Sequence, residues 1–316
     1  MISVIFPTYN EQDNIPVLYE RISAVAADIR GHDSEFIFVD DCSTDQTPEI
    51  LRRLHDRDSR VKTIRFARNC GSHAAIAAGL IACRGDGAVV LAADLQDPPE
   101  LLRLLVNEWK DGVKVVWGAR RKRLGEKVST KFFSRVYYCL MNYFTTVKVP
   151  PLGADVFLVD RAVIEAFKEV NEKHTSVFMV LAWLGFKQTS IEYVKQARLY
   201  GKSKWTLGNK IKLTLDSLLA FSDIFIRYIS VIGVLTACTG FVYALFVIWG
   251  LFNGAPLEGW SSLLVTILVL GGIQMIMLGV LGEYLWRTFD ESRQRPRFIV
   301  EYKLGLESYS PAGREQ

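Results

Sequence analysis

The sequence predicts an α/β domain followed by a pair of long apolar helices. Through about residue 194, short apolar runs alternate with segments whose apolar residues recur at helical spacing, which is typical of alternating strands and helices. Beyond residue 224 the chain instead carries two apolar stretches, each long enough to cross a bilayer as a helix. A length of 316 residues leaves room for one large domain or two smaller ones.

The alternating part begins with an apolar run that ends at Pro7. Strands are predicted at residues 2–6, 35–39, 61–66, 87–92, 113–117, 153–160 and 187–194. Helices are predicted at 13–29, 47–55, 72–83, 100–110, 161–170 and 176–184, with Thr47 as a helix N-cap and Pro48 at the first helical position. This alternation predicts parallel strands with helices on both faces, and ligands in such sheets bind outside the carboxyl ends of the strands.

The two apolar stretches span about residues 229–252 and 263–285, and a buried helix of a soluble protein is the weaker alternative for two such neighbours. The loop between them carries no Lys or Arg. Basic residues flank the pair on its outer sides, at Lys210, Lys212, Arg227, Arg287, Arg293, Arg295 and Arg297. The positive-inside rule therefore predicts a transmembrane hairpin with both flanks in the cytoplasm.

We expect a cytoplasmic domain at 1–205, juxtamembrane amphipathic helices at 206–228, the hairpin at 229–286 and a cytoplasmic tail at 287–316. A late strand at 297–302 invites pairing with a neighbouring subunit, so a homo-oligomer is expected. The five cysteines form no C-x-x-C pair, which suits a reducing compartment and argues against disulfides or a zinc site. The first residues carry no basic leader and no full signal-peptide core, so we expect them to form the first strand. A net charge of +4 is too small to predict nucleic-acid binding.

Oxygen-bearing side chains follow the fourth predicted strand. The Pro-Pro pair at 98–99 prevents the run from continuing as sheet or helix, so Asp94, Gln96 and Asp97 lie on a turn. Carboxylate and amide oxygens suit a hard divalent cation such as Mg²⁺ or Mn²⁺, although a solvated turn with chance acids explains the same residues. Asp97 and Glu100 fit better as turn and helix-start acids, which leaves Asp94 and Gln96 as the metal ligands.

Two neighbouring strand ends add polar groups to this edge. Asp40 and Asp41 follow the second strand and residues 7–11 end the first, so the two together form a pocket able to hold a base and a ribose. Asp45 could instead cap the helix beginning near Pro48. Because a bound divalent metal commonly bridges a carboxylate and substrate phosphates, a nucleotide diphosphate is the natural ligand.

The chain changes character at about residues 120–144, where a basic stretch leads into an aromatic-rich segment with helical spacing. This pattern fits an amphipathic helix lying in a membrane interface. A buried amphipathic core helix is the alternative.

Five motifs, taken in order, resemble those of family 2 glycosyltransferases of the GT-A fold, a Rossmann-like nucleotide-sugar fold. They are Pro7-Thr8-Tyr9-Asn10-Glu11, Asp40-Asp41-x-Ser43-x-Asp45, Arg68-Asn69-x-Gly71, Ala92-Ala93-Asp94-Leu95-Gln96-Asp97-Pro98-Pro99-Glu100 and Gly118-x-Arg120. More narrowly, the chain resembles the polyprenyl-phosphate glycosyltransferases, which include dolichol-phosphate mannose synthase, and is most similar to the bactoprenol glucosyltransferase branch. The resemblance covers essentially the whole chain, and each motif alone would be weak.

The resemblance implies an integral enzyme of the plasma (inner) membrane that uses a nucleotide sugar, Mg²⁺ or Mn²⁺ and a polyprenyl phosphate. It implies metal binding at Asp94 and Gln96 and donor binding at Pro7, Tyr9, Glu11, Asp41, Asp94, Arg198, Ser203 and Lys204. For the acceptor phosphate it implies Arg120, Lys127, Lys131 and Arg135, although simple attraction to anionic lipid explains Lys127 and Lys131 equally well.

The implied reaction is an inverting transfer in which a phosphate oxygen attacks the anomeric carbon, with Asp155, Arg120 and Arg135 as catalytic residues. Asp155 could orient acceptor or sugar or complete the metal shell, and its alternative is a loop-capping Asp. The sequence departs from the family at one position: where the family commonly has an acid, this chain has Ala92. Asp94 would therefore hold the metal with fewer protein charges around it.

UDP-glucose is the expected donor and undecaprenyl phosphate the expected acceptor. A GDP-mannose-dependent polyprenyl-phosphate mannose synthase is the first alternative. A processive polysaccharide synthase and an inactive membrane scaffold are weaker ones, since the chain has only two predicted spans and no Q-x-x-R-W motif.

Overall fold

A computed structural model describes residues 1–29, 31–120, 155–170, 172, 176–196, 224–252 and 259–306. The chain divides into two compact units, one formed by Met1–Ser217 with Pro296–Gln316 and the other by Leu218–Arg295. The strands of the first unit are β1 Ile2–Thr8, β2 Ser34–Asp40, β3 Val61–Phe66, β4 Gly87–Val90, β5 Val115–Arg120, β6 Val156–Asp160, β7 Gln188–Tyr193 and β8 Val300–Leu304.

The described helices of the first unit are α1 Asn14–Ala27, α2 Thr47–Arg57, α3 Ser72–Ala82, α4 Leu101–Lys110, α5 Arg161–Glu169 and α6 Val177–Trp183. The second unit contains α7 Ile224–Phe252 and α8 Trp260–Ser292. The predicted α/β class is therefore confirmed for the first unit, and strands and helices alternate through β5 as expected.

Eight described strands form one mixed sheet in the order β7-β5-β6-β4-β1-β2-β3-β8. Strands β1 to β5 and β7 run in one direction, whereas β6 is antiparallel to β4 and β5, and β8 is antiparallel to β3. The prediction of parallel strands is wrong for β6, because hydrophobic periodicity fixes where a strand lies but not its direction. Since β6 runs the opposite way, its first residue lies at the edge where the parallel strands end.

Strand β1 lies in the middle of the sheet and packs on both faces. Its residues Val4 and Phe6 belong to the buried cluster that also contains side chains of α1, α2 and α4. Phe6 stacks on Phe38 of β2 with ring centroids 4.8 Å apart, and full burial of such a side chain contributes about 1.5–3 kcal/mol. On the other face, a Cβ at Gly79 of α3 would lie 2.3 Å from Cγ2 of Ile5, so this helix needs glycine there.

The last described strand returns to the sheet of its own chain. We predicted a strand at 297–302 that would pair with a neighbouring subunit, whereas β8 begins at Val300 and pairs with β3. Phe298 stacks on Phe66 at 4.8 Å, and Glu301 accepts a hydrogen bond from Nε of Arg65 at 2.7 Å. The late strand therefore pairs within its own chain. Homo-oligomerisation stays a prediction.

The second unit contains two long helices, of 29 residues in α7 and 33 in α8. They contact each other at Gly233, where a Cβ would lie 3.1 Å from Cε of Met277. Among the residues whose side chains are described, Val269–Ser292 is the one segment long and apolar enough to cross a membrane. The two-helix transmembrane hairpin therefore stays a prediction.

A buried ion pair lies at the amino-terminal end of the parallel strands. Nζ of Lys62 lies 2.6 Å from the Glu35 carboxylate, which also accepts hydrogen bonds from the Ser3 hydroxyl at 2.5 Å and the Arg84 N–H at 2.8 Å. Burial raises the pKa of Glu35, but these three partners together lower it further than burial raises it. The folded-state pKa is therefore below its ordinary value.

Acid should weaken the fold partly through this pair. A carboxyl group whose pKa is lowered on folding stabilises the fold above its unfolded-state pKa, and this stabilisation is lost as the pH falls through the folded-state pKa. We expect the free energy of unfolding of Glu35→Gln to change less than that of the wild type between about pH 5 and pH 3. Equal pH dependence in the two proteins, measured by denaturant unfolding at each pH, would contradict this assignment.

Candidate active site at the carboxyl edge of the sheet

The polar motifs meet at one edge of the sheet. The six strands that run in the same direction end there, so the carboxyl ends of β1, β2, β4 and β5 lie along one edge. Asp155 reaches the same edge because it precedes the antiparallel strand β6. The chain crosses from one side of β1 to the other between β3 and β4, and ligands of α/β sheets bind at such a switch point.

The loops after β1 and β2 are joined by hydrogen bonds. The Asn10 N–H donates to Oγ of Ser43 at 2.8 Å, and Oδ1 of Asn10 accepts from the Thr44 N–H at 2.8 Å. Asn10 adopts a left-handed conformation with φ 52°, which asparagine tolerates better than most residues. The Glu11 N–H donates to Oγ1 of Thr47 at 3.0 Å. Thr47 is thus inside α2 and holds the neighbouring loop, and the predicted N-cap position belongs to Gln46.

The two adjacent acids after β2 have different partners. Asp40 is fully buried, forms a close ion pair with Arg65 and accepts a hydrogen bond from the Ser43 N–H at 3.0 Å. Nη2 of Arg65 also donates to the Ser43 carbonyl oxygen at 3.1 Å. Asp40 therefore has a structural role: it stabilises the end of β2 and the loop that follows it.

Asp41 instead contacts the first turn of α3. Its two carboxylate oxygens accept hydrogen bonds from the N–H groups of Cys70 and Gly71, at 2.6 and 2.8 Å. Burial, together with the nearby charge of Asp40, raises the pKa of Asp41, while these two N–H groups oppose the rise. A carboxylate oxygen accepts more than one hydrogen bond, so Asp41 retains acceptor capacity for a base or ribose. Its donor-binding role stays a prediction.

The three predicted donor residues at the β1 end are half-buried. Pro7 and Tyr9 keep part of their surface accessible at this edge. Glu11 is also half-buried, and its Oε2 accepts a hydrogen bond from Nδ2 of Asn14 at 2.6 Å.

The turn after β4 holds the predicted metal ligands. Asp94 is 8% exposed, and its Oδ1 accepts a hydrogen bond from the Gln96 N–H at 3.1 Å. Leu95 between them is buried with φ 58°, a left-handed conformation that costs roughly 1–2 kcal/mol for a residue with a Cβ. The Gln196 N–H donates to the Gln96 carbonyl oxygen at 2.8 Å, which ties the turn to the segment after β7.

These residues fit a metal that arrives with its substrate. Among the described residues, no group of three or more His, Cys, Asp or Glu side chains could hold a metal ion. Mg²⁺ in phosphate-transfer sites typically takes one or two carboxylates, several waters and substrate phosphates. Asp94 as the one carboxylate predicted to bind the metal, with the Gln96 amide beside it, matches that pattern and does not match a permanent protein cage.

Five side chains form a second polar cluster at the same edge, which we call the charge ring: Asp97, Arg120, Asp155, Tyr193 and Lys195. Arg120 forms a close ion pair with Asp155 and is the register partner of Tyr193 where β5 and β7 end. The Tyr193 hydroxyl donates to Oδ1 of Asp97 at 2.6 Å. Nζ of Lys195 lies 3.5 Å from Asp97 and 3.7 Å from Asp155. Burial and the Asp97 charge raise the pKa of Tyr193, which keeps the phenol protonated.

The charge ring brings together two predicted residues and three that the sequence did not single out. Arg120 and Asp155 were predicted from the family motifs. Asp97 was predicted to be a turn acid, but it is 1% exposed and lies inside the ring. Tyr193 and Lys195 were missed, although their position at the end of a predicted strand was the available signal. The predicted residues Lys127, Lys131, Arg135, Arg198, Ser203 and Lys204 lie outside the described residues.

Comparisons with known proteins show which family the chain belongs to. The family model for "Glycosyl transferase family 2" matches residues 3–167, more than half of the 316-residue chain. The "Uncharacterized glycosyltransferase YkcC" of Bacillus subtilis (strain 168) is 40% identical over 97% of this chain and 95% of that protein.

Two further relatives carry more specific names. The "Prophage bactoprenol glucosyl transferase homolog" of Escherichia coli (strain K12) and the "Bactoprenol glucosyl transferase" of Shigella phage SfV are each 34% identical over 95% of this chain and 98% of the relative. The family model covers every strand end of the donor site, from β1 to β5, and also Asp155. The chain therefore belongs to glycosyltransferase family 2, and it is a glycosyltransferase.

Proposed function

We propose that the protein transfers a hexose from a nucleotide sugar to a membrane polyprenyl phosphate, with UDP-glucose as donor and undecaprenyl phosphate as acceptor. The observation that carries this proposal is the 34% identity to bactoprenol glucosyl transferases along nearly the whole chain. The arrangement of the edge also supports it. The Asp94 turn, which carries the predicted metal ligands, and the charge ring, which carries the Arg120 cation, lie at the same edge of the sheet.

On the donor side, the loops after β1 and β2 would hold the nucleotide and the turn after β4 would hold its diphosphate. Pro7, Tyr9, Glu11 and Asp41 would line the nucleoside pocket, and Arg198, Ser203 and Lys204 would contact the diphosphate. Asp94 and Gln96 would hold Mg²⁺ or Mn²⁺. A divalent cation at that position supplies Lewis-acid stabilisation of the leaving nucleoside diphosphate.

On the acceptor side, Arg120 and Arg135 would hold the phosphate, with Lys127 and Lys131 nearby. A phosphate monoester has a second pKa near 6, so it is largely ionised at about pH 7. Its oxygen can therefore attack the anomeric carbon without a strong general base. Arg120 would orient this oxygen through charge-assisted hydrogen bonds, and Asp155, which is 49% exposed beside it, would orient Arg120, the acceptor or the sugar.

A membrane location follows from the acceptor, whose chain stays in lipid. In α8, the segment Val269–Ser292 is long and apolar enough to cross a bilayer. Helix α7 is about 44 Å long at 1.5 Å per residue. Its described side chains include exposed apolar groups, such as Phe246 and Trp249 at 72% each. The hydroxyls of Thr236 and Thr239 donate to backbone carbonyl oxygens one turn earlier, both at 2.8 Å, which removes free donors from that surface.

We further propose a hairpin of both helices, with the catalytic domain and both termini in the cytoplasm of the plasma (inner) membrane. The basic residues on the outer flanks and the loop without Lys or Arg support this orientation. The same proposal includes an interfacial helix after Arg120, a homo-oligomer and the region boundaries 1–205, 206–228, 229–286 and 287–316.

A donor titration separates the enzyme from its alternatives. The full chain in detergent is titrated with UDP-glucose, GDP-mannose and UDP-N-acetylglucosamine in the presence of Mn²⁺, and heat is recorded. We expect saturable binding of UDP-glucose that weakens when a chelator replaces Mn²⁺. Preferential binding of GDP-mannose would favour the mannose synthase, and binding of no donor would favour a scaffold.

A further inference from the structure

The charge ring divides into an accessible pair and a buried set. The side chains of Arg120 and Asp155 are 19% and 49% exposed, so both can meet a ligand. Asp97 and Lys195 are 0% and 6% exposed in their side chains, and Tyr193 is 5% exposed. The buried three therefore act on a ligand only through their neighbours.

The strand register places Tyr193 beside Arg120. The two residues are partners in the parallel register of β5 and β7 and are the last residues of their strands. The Tyr193 hydroxyl gives its only proton to Asp97, so its oxygen can accept a hydrogen bond from a neighbouring donor, and the strand register supplies Arg120. A hydrogen bond between them would complete a relay from the guanidinium to a buried carboxylate, in which each bond polarises the next.

We propose that Tyr193 and Asp97 are positioning residues that fix the Arg120 guanidinium for the acceptor phosphate, an inference that rests on the proposed function. Lys195 balances the Asp97 charge inside the site. Within the described part of the chain, Oδ2 of Asp97 and Nε of Arg120 are buried without hydrogen-bond partners. A Tyr193 hydroxyl that donates to Oδ1 of Asp97 and accepts from Arg120 would join these two residues.

The same residues link the acceptor side to the donor turn. Asp97 belongs to the turn that carries Asp94, and the Gln196 N–H holds that turn at Gln96. A change at Tyr193 should nevertheless act mainly on the acceptor, because the Gln196 bond is made by the backbone and does not involve the hydroxyl.

Tyr193→Phe tests the inference, because it removes the hydroxyl and keeps the ring. We expect the KM for farnesyl phosphate, a short soluble polyprenyl phosphate, to rise about tenfold, as for the loss of one hydrogen bond to a charged group. The dissociation constant for UDP-glucose should stay within about twofold of the wild-type value. The matched control is Tyr19→Phe, which removes a Tyr–Asp hydrogen bond of 2.8 Å to Asp58 on the opposite edge and should change neither constant.

An unchanged KM for farnesyl phosphate in Tyr193→Phe would overturn the inference. So would an equal loss of donor and acceptor binding, since that is the result of general loosening of the site.

A second measurement keeps the inference separate from the proposed function. Phenylglyoxal modification of Arg120, followed by mass spectrometry of the full chain, requires no substrate. Faster modification in Tyr193→Phe than in Tyr19→Phe is expected if the hydroxyl holds the guanidinium, and equal rates would overturn the positioning role. If the wild type transfers no sugar but this difference is present, the proposed function fails and the positioning role stands.

Discussion

Replacing Asp94 with asparagine is expected to lower sugar transfer about 100- to 1,000-fold, the scale of losing one main electrostatic contact to the transition state. The amide keeps an oxygen for the Gln96 N–H but removes the negative charge that a divalent cation needs. This chain has Ala92 where the family commonly has an acid, so no second carboxylate at that position can compensate. The rate is measured with labelled UDP-glucose at saturating Mn²⁺.

The control is Glu100→Gln, which removes an acid from the same turn and helix junction. Glu100 is exposed and pairs with Arg21 at 3.0 Å, so its loss should leave the rate within about twofold of wild type, as expected for a surface ion pair. If Asp94→Asn and Glu100→Gln had equal rates, Asp94 would not be a metal ligand.

Replacing Arg65 with methionine is expected to destabilise the first unit by about 3–5 kcal/mol, because it leaves a buried carboxylate without its counter-charge. Asp40 has a side-chain exposure of 0%, and Arg65 is the cation that faces it. Hydrogen exchange of peptides from β2 and β3, in the full chain in detergent, reports the local opening free energy.

Arg60→Met provides the comparison for this prediction. Arg60 also pairs with an aspartate, Asp58, at 2.8 Å, but its side chain is 45% exposed, so its loss should cost no more than about 1 kcal/mol. An Arg65→Met protein that exchanges as slowly as Arg60→Met would show that solvent reaches Asp40 and stabilises its charge.

The sequence predicted the fold where local patterns decide it. Apolar runs that end on Pro7, Asp40 or the Asp94 turn marked strand ends to within about two residues, because turn residues and periodicity are local properties. The same logic placed the donor loops and the Asp94 turn at one edge, since parallel strands bring their carboxyl ends together. Strand direction was not predictable in this way. The antiparallel course of β6 depends on long-range pairing with β4 and β5.

The partners of the charged groups were also beyond sequence reasoning. Asp40 and Asp41 are adjacent in the chain, but one pairs with Arg65 and the other accepts hydrogen bonds from the N–H groups of Cys70 and Gly71, just before α3. Asp97 and Tyr193 are separated by 96 positions, and only the sheet brings them within 2.6 Å. Burial of this kind depends on the assembled fold, so local pattern could indicate that Asp97 lies on a turn but not that it lies inside the site.

Transfer of labelled sugar to lipid tests the central claim most directly. Membranes that contain the full chain and added undecaprenyl phosphate are incubated with labelled UDP-glucose, GDP-mannose or UDP-N-acetylglucosamine in separate reactions, and the organic-phase lipid is counted. Membranes containing the Asp94→Asn protein provide the background. The proposed function predicts label in lipid from UDP-glucose, dependent on the added polyprenyl phosphate. No lipid label above background from any donor would contradict it.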